Sequence, residues 1–231
     1  MRPPKKFHPH PFAYHEEIEL SIDTLTNLGK GLGRVDEWVV FVPYCLPGET
    51  VRARVYRNDK RYSEADLVEV LVPSPDRVDP NCPLFQTCGG CQYQHLAYGR
   101  QLEWKRRQVA EVLQHLAKLD LPVQEVLPSP VPYGYRSKIT PHFQKPRDGR
   151  IEAIGFLKTG RRSEIVDVEH CPIALDDING ALPEVRQSAR DRAASYKKGA
   201  TLLLRGSRGA DGWEVLTDPK TVARETVGAL Q

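Results

Sequence analysis

Three cysteines within ten residues, Cys82, Cys88 and Cys91, constrain this chain more than any other stretch, because so many thiols in so short a span call for a common partner. Their spacing is C-x5-C-x2-C, and Gly89-Gly90 lets the backbone turn tightly enough to bring two sulfurs to one ion or cluster. A fourth donor is wanted. Cys171, in His170-Cys171-Pro172, repeats the Cys-Pro dipeptide of Cys82-Pro83 and is the best placed by local sequence; the remaining cysteine, Cys45, sits in the turn-like run Pro43-Tyr44-Cys45-Leu46-Pro47-Gly48. Disulfides fit poorly, since the start Met1-Arg2-Pro3-Pro4-Lys5-Lys6 has no apolar core of an export signal. Structural zinc sites are usually built from paired C-x2-C knuckles, and here there is a single knuckle with a remote partner. A [4Fe–4S] cluster, often held by three close thiolates and one distant one with proline after a ligand, fits the spacing best, with zinc remaining open.

The 231 residues permit one or two domains with a sizeable core. A net charge of +3 does not by itself announce a nucleic-acid partner, so the placement of the cations matters. No apolar run approaches a membrane span, and a cytoplasmic location is expected. Residues 1–13 are basic and proline-bearing and read as a disordered leader. From Glu17, Ile18, Leu20 and Ile22 alternate with polar residues at the period of a half-buried strand. A glycine-rich turn, Asn27 to Arg34, is followed by expected strands over 35–42, 50–57 and 62–72. The last should carry a bulge where its apolar parity changes between Leu67 and Val68. Short strands with glycine turns and no helix read as a small closed barrel over 14–73.

Gly29-x-Gly31-x-Gly33 superficially suggests a phosphate loop, but a dinucleotide fingerprint must open a helix, and these glycines open a β-like run. Positive-φ turn glycines are the expected reading. The barrel's outward residues include Lys30, Arg34, Arg52, Arg54, Arg57, Lys60 and Arg61, interleaved with Tyr56 and Tyr62, a pattern suited to RNA phosphates and bases. Because Glu64, Asp66 and Glu69 follow closely, the basic surface should be one-sided.

Residues 74–133 read as a cluster-binding segment and a helix from Tyr98 to Lys118. Its stripe of Leu102, Val109, Val112, Leu113 and Leu116 is assigned to the core. Residues 134–231 read as an antiparallel α+β domain, with strands over 135–143, 151–157, 164–168, 201–205 and 213–217, and a helix over 175–196 interrupted near Pro183. Hairpin signals stand at Arg147-Asp148-Gly149 and Gly209-Ala210-Asp211-Gly212. Cys171 leaves the third of these strands, so a shared metal site would tie this sheet to the segment after the barrel and staple two domains together. The fold class expected is thus β-rich α+β.

The run Cys82-Pro83-Leu84-Phe85, Cys88-Gly89-Gly90-Cys91-Gln92-Tyr93-Gln94-His95, with Trp104-Lys105-Arg106-Arg107, Gly155-Phe156-Leu157-Lys158 and Ile165 through Cys171-Pro172-Ile173, resembles the iron–sulfur RNA uracil-5-methyltransferases. These act on uridine C5 in bacterial 23S rRNA and are related to the tRNA uracil-5 enzymes. The resemblance implies that Cys82, Cys88, Cys91 and Cys171 ligate a [4Fe–4S] cluster and that 14–73 is an OB-like TRAM RNA-binding barrel. It also places Arg136 and Lys138 near the RNA-facing side of a central domain, and makes ribosomal RNA the expected partner. Methyl transfer to uracil C5 needs a thiolate adding at C6, a base and an S-adenosylmethionine pocket, normally Rossmann-like. Neither that pocket nor a catalytic residue is recognisable before Gln231, so the chain is expected to lack the catalytic domain and to be inactive alone. It would be a truncated product, or one half of a split enzyme completed by a separate C-terminal methyltransferase domain. Radical S-adenosylmethionine enzymes, which can also carry TRAM domains, use C-x3-C-x2-C instead and leave one iron open. Cys45, with no visible base, reads as structural.

Overall fold

The computed structural model describes residues 3–5, 7–209 and 212–217. The chain divides into two compact units, Met1–Pro80 with Gln92–Pro128, and Asn81–Cys91 with Ser129–Gln231. The segment expected as one piece over 74–133 is therefore shared between them.

The first unit is built on β1 (Glu17–Leu25), β2 (Lys30–Val35), β3 (Trp38–Pro43), β4 (Thr50–Asn58) and β5 (Tyr62–Val72), closed in the order β1-β2-β3-β5-β4. Closure is made by the parallel pairing of β3 with β5, Val39 opposite Tyr62, which leaves no open sheet edge. The period-2 pattern works as expected: Leu20, Ile22, Val40, Val42, Val51, Ala53 and Val55 fill the interior. The bulge is where the parity change put it, since the register steps from Arg52 opposite Glu69 to Ala53 opposite Leu67 and skips Val68.

Two readings of the barrel need correction. The strand expected over 35–42 is two strands, joined by Asp36 and Glu37, both at positive φ (47° and 66°). That hairpin escapes notice because the usual asparagine or glycine signal is missing. Of the three glycines, Gly29 alone has positive φ (79°); Gly31 and Gly33 lie within β2. There the need is close approach: a Cβ on Gly33 would stand 2.1 Å from the Ser21 carbonyl oxygen. The leader also differs from expectation. Phe12 is buried in the barrel core, and the Asn58 side chain donates to the Phe12 carbonyl at 2.7 Å and the His8 carbonyl at 2.6 Å.

Helix α1 (Tyr98–Val112) continues as a single π turn over Leu113–Ala117. The face it turns inward is not the leucine–valine stripe. Trp104 packs with Leu25, Leu46 and Leu96, while Gln101 donates to the Tyr93 and Leu96 carbonyls and Gln108 to the Leu25 and Thr26 carbonyls. These three residues, at i, i+3 and i+7, form one helical face. Anchoring it points Val109, Val112 and Leu116 to solvent, Leu116 being 80% exposed. Periodicity finds a stripe but cannot say which stripe has a partner.

The second unit holds two antiparallel sheets and one long helix. One sheet has β6 (Lys138–Ile139), β11 (Leu204–Gly209) and β12 (Gly212–Thr217) in the order β12-β11-β6. The other has β7 (His142–Phe143), β8 (Gly155–Lys158), β9 (Arg161–Asp167) and β10 (Ala200–Thr201) in the order β10-β7-β8-β9. The single strand expected over 135–143 is split between the two sheets at Pro141, which has no N–H to continue a ladder and instead accepts from Leu202 N at 2.7 Å. The strand expected from Ile151 begins only at Gly155, because the Ile154 N–H is taken by the Asp167 carboxylate at 2.8 Å. Helix α2 (Asp176–Asp191) runs through Pro183 without a restart, followed by a 3₁₀ turn over Ala193–Ser195. Ile178, Leu182, Val185 and Ala189 meet Ile139, Phe143, Ile154, Leu202 and Leu204 in one core. The 147–149 hairpin is present, with Asp148 and Gly149 at positive φ; of the 209–212 hairpin, residues 210 and 211 lie outside the described residues, as do 218–231.

Candidate functional site

The three clustered cysteines lie on a loop that is pinned to the sheet of the second unit. Cys88 forms a bridge with Lys158; Gly89 N donates to the Leu157 carbonyl and Thr159 N to the Thr87 carbonyl, each at 2.9 Å. A Cβ on Gly89 would press to 3.0 Å from the Leu157 oxygen, so glycine is what allows this approach. Cys171 stands in the connection from β9 to α2, where Asn179 holds its backbone from both sides: Cys171 N donates to Asn179 Oδ1 at 2.9 Å, and Asn179 Nδ2 donates to the Cys171 carbonyl at 3.1 Å. The 81–91 loop and Cys171 thus belong to one compact unit. This corrects the expectation of a staple between domains: the thiols stitch a loop to its own sheet.

The thiols feel one another. Burial pushes the Cys88 thiol up, and Cys91, Cys82 and Cys171 each push it further; the Cys171 thiol is likewise raised by burial first and then by Cys91 and Cys82. Opposing this, backbone N–H groups address the sulfurs, Gly90 toward Cys88 and Ile173 with Ala174 toward Cys171. All five cysteines are free thiols. Among the described residues, no group of three or more His, Cys, Asp or Glu side chains is gathered tightly enough to hold a metal ion as it stands. Tyr135 lies beside the same sulfurs, its hydroxyl raised by burial and then by Cys91. Sequence reasoning passed over Asn179, for which no local pattern gives a signal. Cys45 is wholly buried in the barrel, its Sγ donating to the Pro43 carbonyl at 3.4 Å, and burial followed by the Glu49 charge pushes it up to about 12.

The barrel cations are mostly neutralised where they stand, which changes the picture of a basic face. Arg54 pairs with Glu17 at 2.7 Å, Arg34 with Asp23 at 3.0 Å, Arg57 with Asp59 at 2.7 Å and Glu64 at 3.2 Å, while Arg52 pairs with Glu69 and Lys30 with Glu64. The cause is register: β4 sets Arg52, Arg54 and Arg57 directly opposite Glu69, Asp66 and Glu64 of β5. Lys60 and Arg61, at the β4–β5 turn, carry no ion pair among the described residues. Exposed pairs of this kind are worth only ~0–1 kcal/mol, so a phosphate can displace a carboxylate from Arg52 or Arg54 at little cost. Arg136 and Lys138 are exposed in the second unit; Arg136 Nε donates to the Lys138 carbonyl at 3.2 Å, and its backbone runs beside Ala174.

Residues 15–68, which form the closed barrel, match the TRAM domain family. Over 231 aligned residues, 95% of this chain, it is 43% identical to the tRNA (uracil(54)-C(5))-methyltransferase of Schizosaccharomyces pombe, covering 44% of that protein. An uncharacterized RNA methyltransferase of Synechocystis is 36% identical over 77% of this chain and 38% of its own length. The crystal structure of Pyrococcus abyssi tRNA (uracil-54, C5)-methyltransferase with S-adenosyl-L-homocysteine superposes with a TM-score of 0.58 at 26% identity, over 86% of this chain and 44% of the other. The chain is a homologue of RNA methyltransferases. It spans less than half the length of these relatives. The relatives described here whose names specify an RNA specify tRNA, where the sequence led us to expect 23S rRNA. The TRAM domain gives the barrel its reading as an RNA-binding module. No helix among the described residues is long and apolar enough to cross a membrane.

Proposed function

We propose that this chain forms the RNA-recognising, cluster-carrying portion of an S-adenosylmethionine-dependent RNA uracil-C5 methyltransferase. The observation that carries the reading is the 43% identity to a uracil-C5 enzyme across nearly the whole chain, with the TRAM match falling on the closed barrel. Methyl transfer is then the activity of the whole protein, to which residues 1–231 bring substrate recognition. The relatives' names favour tRNA over 23S rRNA as the substrate class. Purified protein should bind a uridine-containing tRNA transcript more tightly than a 23S rRNA hairpin; the reverse order would restore the ribosomal substrate. Lys60→Ala with Arg61→Ala should cost more affinity than Arg52→Ala with Arg54→Ala, because the second pair already has carboxylate partners. Filter binding at several salt concentrations tests this, and equal losses would discount the ion-pair lattice.

The second half of the proposal concerns the four thiols. Cys82, Cys88, Cys91 and Cys171 would hold a [4Fe–4S] cluster, and the donor set fits: four sulfurs in one compact unit, with N–H groups from Gly90, Ile173 and Ala174 favouring the thiolate form. Bound by four thiolates, such a cluster is coordinatively closed and adds fold stability. Around it, Asn179 orients Cys171, and Leu157 and Thr159 hold the loop. Anaerobically purified protein should be brown with broad visible absorbance, Cys171→Ser should bleach it and destabilise the second unit, and Cys45→Ser should leave the colour intact. A colourless protein with stoichiometric zinc would replace the cluster by a zinc site.

A further inference from the structure

The second unit contains an open cleft of about 710 Å³, on the sheet formed by β10, β7 and β8 and closed at one side by the turn after the 3₁₀ helix. That volume falls in the range of small-ligand sites, ~300–1,000 Å³. Its floor includes Phe143 and the partly exposed Leu157, and its rim carries Lys197 and Lys198. The turn is drawn tightly onto β7, since a Cβ on Gly199 would stand 2.5 Å from the Phe143 carbonyl oxygen, so the lysines are held at the cleft by backbone packing.

Three features mark the cleft as more than a surface depression. Lys197 and Lys198 have no carboxylate partner among the described residues, in contrast to the barrel arginines, and no acidic residue lines the cleft. Tyr196 packs edge-on against Phe143, ring centroids 4.9 Å apart, and its hydroxyl is shielded from solvent with no hydrogen-bond partner among the described residues. A shielded hydroxyl left unpaired is unfavourable unless a ligand completes it. His142 is fixed at the mouth by a 2.7 Å contact between its Nδ1 and Thr201 Oγ1.

We propose that this cleft binds one unstacked nucleotide of a single-stranded RNA segment, the base entering against Tyr196 and His142 and the flanking phosphates meeting Lys197 and Lys198. Aromatic surface beside unpaired cations is how proteins hold extruded bases. A cationic ligand such as S-adenosylmethionine is disfavoured by the two lysines and the absence of any acid. The site rests on the RNA-binding reading above and names where in the second unit that binding occurs.

The test is fluorescence anisotropy of an end-labelled oligouridylate with the full chain across a salt series. Lys197→Ala with Lys198→Ala should flatten the slope of log affinity against log salt by about 1.4, two single-strand phosphate contacts, with unchanged thermal unfolding. Tyr196→Phe keeps the ring and removes only the hydroxyl; it should weaken binding several-fold while leaving the melting temperature equal or higher. A merely structural tyrosine would not separate those two readouts. If the unaltered chain binds and both variants match it in slope and affinity, the cleft is not a nucleotide site although the RNA reading stands. If the unaltered chain binds no RNA at low salt, both fall together.

Discussion

Arg186→Met should lower the melting temperature of the second unit by on the order of 20 °C, from a loss of about 3–5 kcal/mol. Arg186 is 3% exposed and stands at the centre of the unit's polar wiring. From α2 it donates to the carbonyls of Ile154 and Val168, the latter at 2.7 Å, and to Asp167 Oδ2 at 2.8 Å. Methionine keeps much of the volume and leaves two buried carbonyls and a carboxylate without their donor. Such a loss is a large part of the ~5–15 kcal/mol that holds a domain together. Burial pushes the Asp167 carboxyl up, but hydrogen bonds from Arg186 and the Ile154 N–H outweigh it and hold the group below its usual 3.8. A carboxylate lowered in the folded state contributes stability above its unfolded pKa and loses it as pH falls through the folded value. Wild type should therefore lose stability on acidification in this range, and Arg186→Met should show a weaker dependence. Calorimetry at neutral and acidic pH checks both, and an unshifted transition at neutral pH would refute the assignment.

Glu49→Ala should have a comparable effect on the barrel unit, again about 3–5 kcal/mol, because it breaks a buried pair by removing one partner. The Glu49 side chain is wholly inaccessible. It accepts from Leu46 N at 2.8 Å, from Ser74 N at 3.2 Å and from both arms of Arg77, which also donates to the Tyr44 carbonyl at 2.8 Å. One carboxylate thus ties the β3–β4 turn to the chain leaving the barrel. Alanine would strand the Arg77 guanidinium and two N–H groups; Glu49→Gln, which keeps the shape, should lose roughly half as much. His95 is also wholly buried nearby, pushed down to about 4 by burial and then by Arg77. The unfolded chain protonates this histidine below about 6.5 while the folded one resists to about 4, so stability is lost as pH falls across that window. Tryptophan fluorescence, through Trp104 packed on Leu46, follows the transition. A Glu49→Ala protein that melts like wild type would show the pair to be dispensable.

What the sequence determined by itself was whatever a local period can carry: the alternation that builds β1 and β4, the bulge at Val68, the Asp148-Gly149 turn, and the inertness of Cys45. Chemistry concentrated in a short run was legible too, since the cysteine spacing named four residues that the fold places in one unit. Only the tertiary structure decided which surfaces have partners. It turned the α1 stripe outward because Trp104 has a pocket and Leu116 has none, and it set acids opposite Arg52 and Arg57 through cross-strand register. It also split the 135–143 run between two sheets at Pro141 and put Arg186 beneath three acceptors scattered over residues 154–168. Each of these depends on contacts between residues far apart in the chain, and a hydrophobic or charge pattern records only what its own segment needs, not what stands across from it.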